Sequence, residues 1–347
     1  MHASLKGHPE VACVLITAGA SLGLRDREGW TPLVCASSGG HSQVASVLIK
    51  AGSFLELRHW ADWTPLMHAS AEGHHEVALV LIKAGSYLDA RDFKGRKALV
   101  YASSEGHHQI ASVLINAGAP LESRDDGGRT SLTWTAYEES LRSGRSESVL
   151  LLLIKHGASV HSRDDTGRTA LVWALSHHSL HVVNLLLDHG ADLDCKDNDG
   201  WTPLMHALKE NNTSTLDLLL SRGATLDFPE DPYAHTPLIF ACGYCSQSTV
   251  LLLLERKARL DAMDRWGWSA LTYASRIQRP DIACLLWERS YFPPWIQNDS
   301  ATALTPLEEQ IRHLKTARTA TRETHGKPST DIIAILSTTR LSMIKAW

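Results

Sequence analysis

Cys242-Gly243-Tyr244-Cys245 places two thiols three positions apart, a spacing that serves a redox couple or one half of a zinc site. The surrounding chain completes neither use, because no second cysteine pair stands at metal-site spacing and no strand of a thioredoxin-like unit precedes. The other cysteines, Cys13, Cys35, Cys195 and Cys284, are scattered and form no framework, which suits a reducing compartment, cytoplasmic or nuclear. His74-His75, His107-His108 and His177-His178 could ligate a metal or carry protons. The first two pairs, however, recur in register directly after Gly73 and Gly106, where capping of a loop accounts for them. A nucleophile elbow, a glycine-rich phosphate loop and paired catalytic carboxylates are not found. The sequence therefore predicts a non-enzyme with no cofactor and no metal site, and leaves a redox role at Cys242 and Cys245 as an alternative.

A different set of residues recurs at one position. Trp30, Trp63, Arg96, Arg129, Arg168, Trp201, His235 and Trp268 each stand just before a threonine or its substitute. Trp60, Phe93 and Trp266 add aromatic area beside them. Trp and Arg are the side chains enriched at binding hot spots, so Trp30, Trp60, Trp63, Arg96, Arg129, Arg168, Trp201 and Trp268 are the expected partner-binding residues. The competing reading packs about half of the tryptophans on their own turn and the next. A second row, Arg25, Arg58, Arg91, Arg124, Arg163 and Lys196, would suggest phosphate or nucleic acid. Glu56, Asp89, Glu122 and Asp194 sit two residues before four of these bases, on the same face of an extended segment, so the row is expected to be self-neutralised.

The elements that must position these rows follow from a unit that returns about every 33 residues, with Trp-Thr-Pro-Leu at 30, 63 and 201. In the unit from Asp26 to Arg58, Asp26-Arg27-Glu28-Gly29 reads as a turn, Thr31 as a helix N-cap and Pro32 as the first helical residue. A helix over Leu33–Ser38 is broken by Gly39-Gly40-His41. A second, over Gln43–Lys50, aligns Val44, Val47 and Leu48 in one apolar stripe and stops at Gly52. Phe54 to Arg58 reads as extended. Such a unit cannot bury its own apolar face, so successive units must stack.

The Thr-Pro-Leu run, the alanine three positions after that Leu (Ala36, Ala69, Ala102, Ala174, Ala207, Ala241, Ala274), the Gly-His break, the Val-x-x-Leu core and the Gly-Ala or Gly-Ser stop together resemble the ankyrin repeat. The resemblance implies an all-α solenoid of stacked repeats, each a helix-loop-helix with a β-hairpin. It further implies that the position before the threonine is exposed and touches the partner. One departure stands out: where the family often has His after Thr-Pro-Leu, this chain has Val34, Met67, Val100, Met205 or Ile239, so the family's histidine relay is not expected.

Eight full units are expected across residues 26–290, beginning at Asp26, His59, Asp92, Asp125, Asp164, Asp197, Glu230 and Asp264. Residues 1–25 read as a truncated first repeat, since Met1-His2-Ala3-Ser4 matches Met67-His68-Ala69-Ser70 in mid-helix. Residues 291–347 read as a linker with a degenerate capping repeat or a helical tail. About six extra residues fall between Tyr137 and Arg145, and about one near Pro229 and Pro232. With 44% hydrophobic residues and a net charge of −4, the chain is neither a disordered tail nor a strongly basic nucleic-acid binder, and its longest apolar runs are too short to span a bilayer. The expected function is a monomeric protein-binding scaffold or adaptor that takes an acidic or aromatic peptide segment, without nucleic acid or membrane insertion. A regulatory or substrate-recruiting subunit acting through the C-terminal tail is the alternative.

Overall fold

Thr31, Thr64, Thr202 and Thr236 each accept the N–H of the residue three positions on, at 3.3, 3.3, 3.4 and 3.3 Å, with proline following directly. These caps set where first helices begin. Second helices end before glycines whose backbone requires the left-handed region, such as Gly52 and Gly85, both at φ +89°. The computed structural model describes residues 1–59, 61–142, 147–176, 179–226 and 235–291.

Two compact units are present, Met1–Thr225 and Leu226–Trp347. The first holds seven helix pairs: α1 (His2–Leu5) with α2 (Pro9–Thr17), α3 (Pro32–Ser38) with α4 (Ser42–Lys50), α5 (Pro65–Glu72) with α6 (His75–Lys83), α7 (Ala98–Ser104) with α8 (His108–Asn116), α9 (Ser131–Arg142) with α10 (Glu147–Lys155), α11 (Ala170–Leu175) with α12 (Leu180–Asp188), and α13 (Pro203–Lys209) with α14 (Thr213–Ser221). In the second, the described helices are α15 (Pro237–Tyr244), α16 (Gln247–Glu255), α17 (Ala270–Arg276) and α18 (Pro280–Tyr291).

Within the first unit, α1, α3, α5, α7, α9, α11 and α13 pack in file, and α2, α4, α6, α8 and α10 form a second file. Between the files lies the core, in which Val44, Leu48, Val77, Leu81, Ile110, Leu114, Val149 and Leu153 are all buried. Val11 and Leu15 hold the same register in the first pair yet are 48% and 46% exposed. The architecture is that of a helical repeat solenoid, as expected. No described helix is long and apolar enough to cross a membrane.

The expected β-hairpin is reduced to a turn. No strand occurs among the described residues, and an isolated antiparallel bridge joins Met263 to Ser269. The physical reason is shortness: each turn is closed at its base by one bond, as from Asp92 N–H to the Arg96 carbonyl (2.9 Å), which leaves no arm to form a ladder. Neighbouring turns bond to each other instead, Asp126 N–H to Lys94 O at 3.0 Å and Asp165 N–H to Gly127 O at 3.1 Å. The extra residues of the unit at Asp125 partly lengthen its first helix, since α9 has 12 residues where α3 has 7. Residues 143–146, the segment with Pro229 and Pro232, and the C-terminal capping repeat or tail from 292 onward lie outside the described residues.

Candidate functional site

One aspartate organises each turn and also reaches the next helix. Asp125 Oδ1 accepts the N–H groups of Gly127 (2.9 Å) and Arg129 (2.8 Å), while its Oδ2 accepts the indole N–H of Trp134 (2.8 Å). Asp164 does the same for Thr166 and Arg168, both at 2.9 Å, and for the Trp173 indole at 2.8 Å. Asp197 holds Asp199 and Trp201 N–H at 3.0 and 2.9 Å and bonds His206 Nε2 at 2.8 Å. Asp92 holds Lys94 and Arg96 N–H and accepts the Tyr101 hydroxyl. In the unit at His59 a histidine replaces the acid, and its Nδ1 accepts Ala61 N–H at 3.1 Å. The residue nine positions after each of these acids therefore carries an N–H or O–H on a ring. That pattern stands in the sequence, and reading the two rows separately missed it.

The same rings stack on the row that precedes each threonine. Trp30 lies 5.1 Å from His68; Trp63 lies 5.0 Å from His68 and 4.3 Å from Tyr101. Arg96 sits over Tyr101 at 4.8 Å and over Trp134 at 6.0 Å. Arg129 lies over Trp134 at 4.9 Å and over Trp173 at 4.7 Å, and Arg168 also lies over Trp173, at 5.3 Å. Six row members of the first unit thus share one construction: Trp30 through Arg168 form a continuous file, and Trp201 packs on His206 at 5.4 Å with Lys209 over it at 5.8 Å. All six are half-buried. Tilted ring pairs and cation–ring contacts cover part of each, so the turn position offers partly covered side chains to a partner rather than free ones. Trp268, in the second unit, packs 6.2 Å from Tyr273 beneath Arg276 at 4.2 Å. Trp60 lies outside the described residues. Phe93 and Trp266 are more open, at 54% and 48% exposed.

The basic row is used internally. Arg58 Nη1 donates to Arg91 O at 2.9 Å and Arg91 Nη2 to Arg124 O at 3.1 Å; Arg124 and Arg163 donate to the carbonyls of Arg163 and Lys196. The acids beside it also reach forward, Glu56 to Tyr87 N–H (2.8 Å) and Glu122 to Ser159 N–H (2.7 Å). The donors of this row are thus bound by backbone of the following repeat, where pairing within one segment was expected.

His41, His74 and His107 bond through Nε2 to Leu5 O (3.0 Å), Ser38 O (2.8 Å) and Ala71 O (3.0 Å), each in the preceding repeat. They tie repeats together instead of only capping a loop. In the second unit Arg279 holds this place, donating to Cys245 O at 2.6 Å. His177 and His178 lie outside the described residues. Cys242 and Cys245 are both buried, and burial pushes their pKa values up to about 12 and about 11. They are thiols rather than thiolates at neutral pH, which disfavours both redox exchange and metal ligation. Among the described residues no cluster of three or more His, Cys, Asp or Glu could hold a metal ion.

His68 sits in a box made by Trp30, His59 and Trp63, and its Nε2 is buried without a hydrogen-bond partner. Burial, helped by the neighbouring His59, lowers its pKa to about 4. His206 is also lowered by burial, against the pull of Asp197.

Models of ankyrin repeats match residues 1–92, 87–164 and 139–229, and a further model of ankyrin repeats matches residues 238–286. A search of curated proteins found no match.

Proposed function

The chain belongs to the ankyrin-repeat family, whose repeats generally mediate protein–protein interaction, and we propose that it is a non-catalytic scaffold or adaptor that binds through its turn row. The observation that supports this reading is the file from Trp30 to Arg168, in which aromatic and guanidinium side chains remain half-exposed along five consecutive turns. Such side chains combine large contact area with low entropy cost on binding, because their contacts with neighbouring rings already hold them. Trp63, Arg96, Arg129, Arg168 and Trp201 form the main surface; Trp30 extends it, and Trp268 marks the matching position in the second unit. Six cysteines, none bonded to another, fit work in a reducing compartment.

The test is quantitative recovery of partners on the immobilised full chain, compared with Trp63→Ala and Trp201→Ala variants that circular dichroism shows to be folded. A partner that depends on these anchors should lose about 2 kcal/mol or more of affinity in either variant. If every recovered partner binds both variants like the parent, the turn row is not the site.

A further inference from the structure

Three arginines occupy the same position in consecutive repeats, and their surroundings differ in one respect. Arg96 gives Nε to Asp92 Oδ2 at 3.1 Å and brings Nη2 to the same oxygen at 3.1 Å. Arg168 stands 3.7 Å from Asp197 Oδ2. The guanidinium of Arg129 makes no hydrogen bond or ion pair with any described residue. The acids of its own turn and the next, Asp125 and Asp164, each give Oδ1 to two backbone N–H groups and Oδ2 to an indole.

What surrounds Arg129 is aromatic. Trp134 and Trp173 lie against it at 4.9 and 4.7 Å, and Tyr137 stands edge-on to both indoles at 5.8 and 5.4 Å. The two aspartates pin both indoles by their N–H groups, so the rings are fixed before any ligand arrives. A guanidinium has five donors in one plane, and two indoles within 5 Å of its carbon shield part of it while its fork of donors still suits a planar ligand. The complementary group is a carboxylate lying in the plane, which accepts two parallel N–H bonds. Partial desolvation by the rings strengthens such a bond relative to one made on an open arginine. This is also the repeat whose first helix is lengthened, so the unpaired arginine and the departure from the regular unit coincide.

We propose that Arg129, lying over Trp134 and Trp173, is a carboxylate-binding subsite for an aspartate or glutamate side chain of an extended acidic partner segment. The proposal rests on the protein-binding reading and supplies its chemistry. Charge favours a peptide with spaced carboxylates over the denser phosphates of nucleic acid: Arg96 and Arg168 flank the subsite in the file, while exposed Asp126 on its own turn and Asp165 on the next interrupt the positive row.

Fluorescein-labelled peptides of six Gly-Glu and six Gly-Gln repeats, titrated with the full-length chain at low salt, test it by polarisation. The acidic peptide should bind at least tenfold tighter than the neutral one. Arg129→Gln should lose at least tenfold of that binding, and Arg129→Lys at least threefold, since lysine keeps the charge and loses the fork. Arg58→Gln, which removes a guanidinium committed to Arg91 O, should bind like the parent. Equal binding of the two peptides, parental binding by Arg129→Gln, or a twelve-residue oligothymidylate that binds tighter than the acidic peptide would each overturn the proposal. Should Arg129→Gln fail to fold by circular dichroism, Arg129→Lys decides, and parental binding by it is fatal. A cellular partner whose recovery needs Trp63 and not Arg129 would leave the scaffold reading standing while the carboxylate subsite falls.

Discussion

A neutral imidazole is built into the first unit at His68. Its folded pKa, about 4, lies below the ordinary value near 6.5, so the unfolded chain binds the proton more readily than the folded one. The stability contributed by the neutral ring is complete above about pH 6.5 and is lost as pH falls toward 4. A shift of this size corresponds to roughly 3 kcal/mol at the acid end. Replacing His68 by Asn removes the titration while keeping a polar side chain of modest size. The urea midpoint of the parent should therefore fall more steeply between pH 6.5 and 4 than that of His68→Asn. Parallel pH profiles would show that the Trp30, His59 and Trp63 box does not exclude the charged form.

At the scale of elements, the loops between helices decide how repeats meet. Gly40 has φ +75°, and a Cβ there would stand 2.7 Å from the His74 ring that bonds Ser38 O. Gly52 has φ +89° with nothing within 4 Å of the position a Cβ would take. Alanine at Gly52 adds only backbone strain, about 1 kcal/mol, whereas alanine at Gly40 adds the same strain and displaces the histidine, about 2–3 kcal/mol together. Urea denaturation of the two variants separates the terms, and equal losses would mean that the histidine tie carries no weight.

The helices were legible in the sequence because their boundaries are written locally. Thr31 and Pro32 start α3 as expected and Gly52 follows α4, while the expected second helix, Gln43–Lys50, begins one residue after the observed start. The ties between repeats were not legible in that way. The carbonyl that receives His74 lies 36 residues back, and apolar periodicity within one repeat says which face is buried without saying which polar atom faces it. The file of stacked rings was half legible: Trp and Arg types marked the row, but its partners, five positions on at His68, Tyr101, Trp134 and Trp173, belong to helices that were read only for their apolar stripes. The hairpin expected from the turn and the extended Phe54 to Arg58 segment does not form, because the turn is too short to make one.

At the scale of the whole molecule, the bonds that join repeats connect like positions. Arg58 to Arg91 O and Arg91 to Arg124 O are the same bond displaced by one unit, 33 residues in each case. Removal of residues 59–91 would bring Arg58 to the Arg124 carbonyl, Gly40 to His107, Trp30 to Tyr101, and the Val44 and Leu48 stripe to Ile110 and Leu114. Each of these is a pairing of residue types already present elsewhere in the array. The shortened chain should fold cooperatively with a lower urea midpoint, as expected where stability sums over units and their interfaces. Removal of residues 59–75 instead would set a turn against a helix and should abolish the transition. Cooperative folding of both, or of neither, would contradict interchangeable units.

This sameness of position has a genealogical consequence. Misaligned recombination between two copies of the coding sequence, when it slips by one whole period, yields a product in which every donor still finds the acceptor that its kind has always used, so no compensating substitution is needed. Slips by any other length are exposed to selection at once. The lineage of such a chain can thus lengthen or shorten in steps of one unit while each turn keeps diversifying on its own, which is how a single position could come to hold tryptophan at Trp30 and Trp63 and arginine in the three units from Asp92 to Asp164.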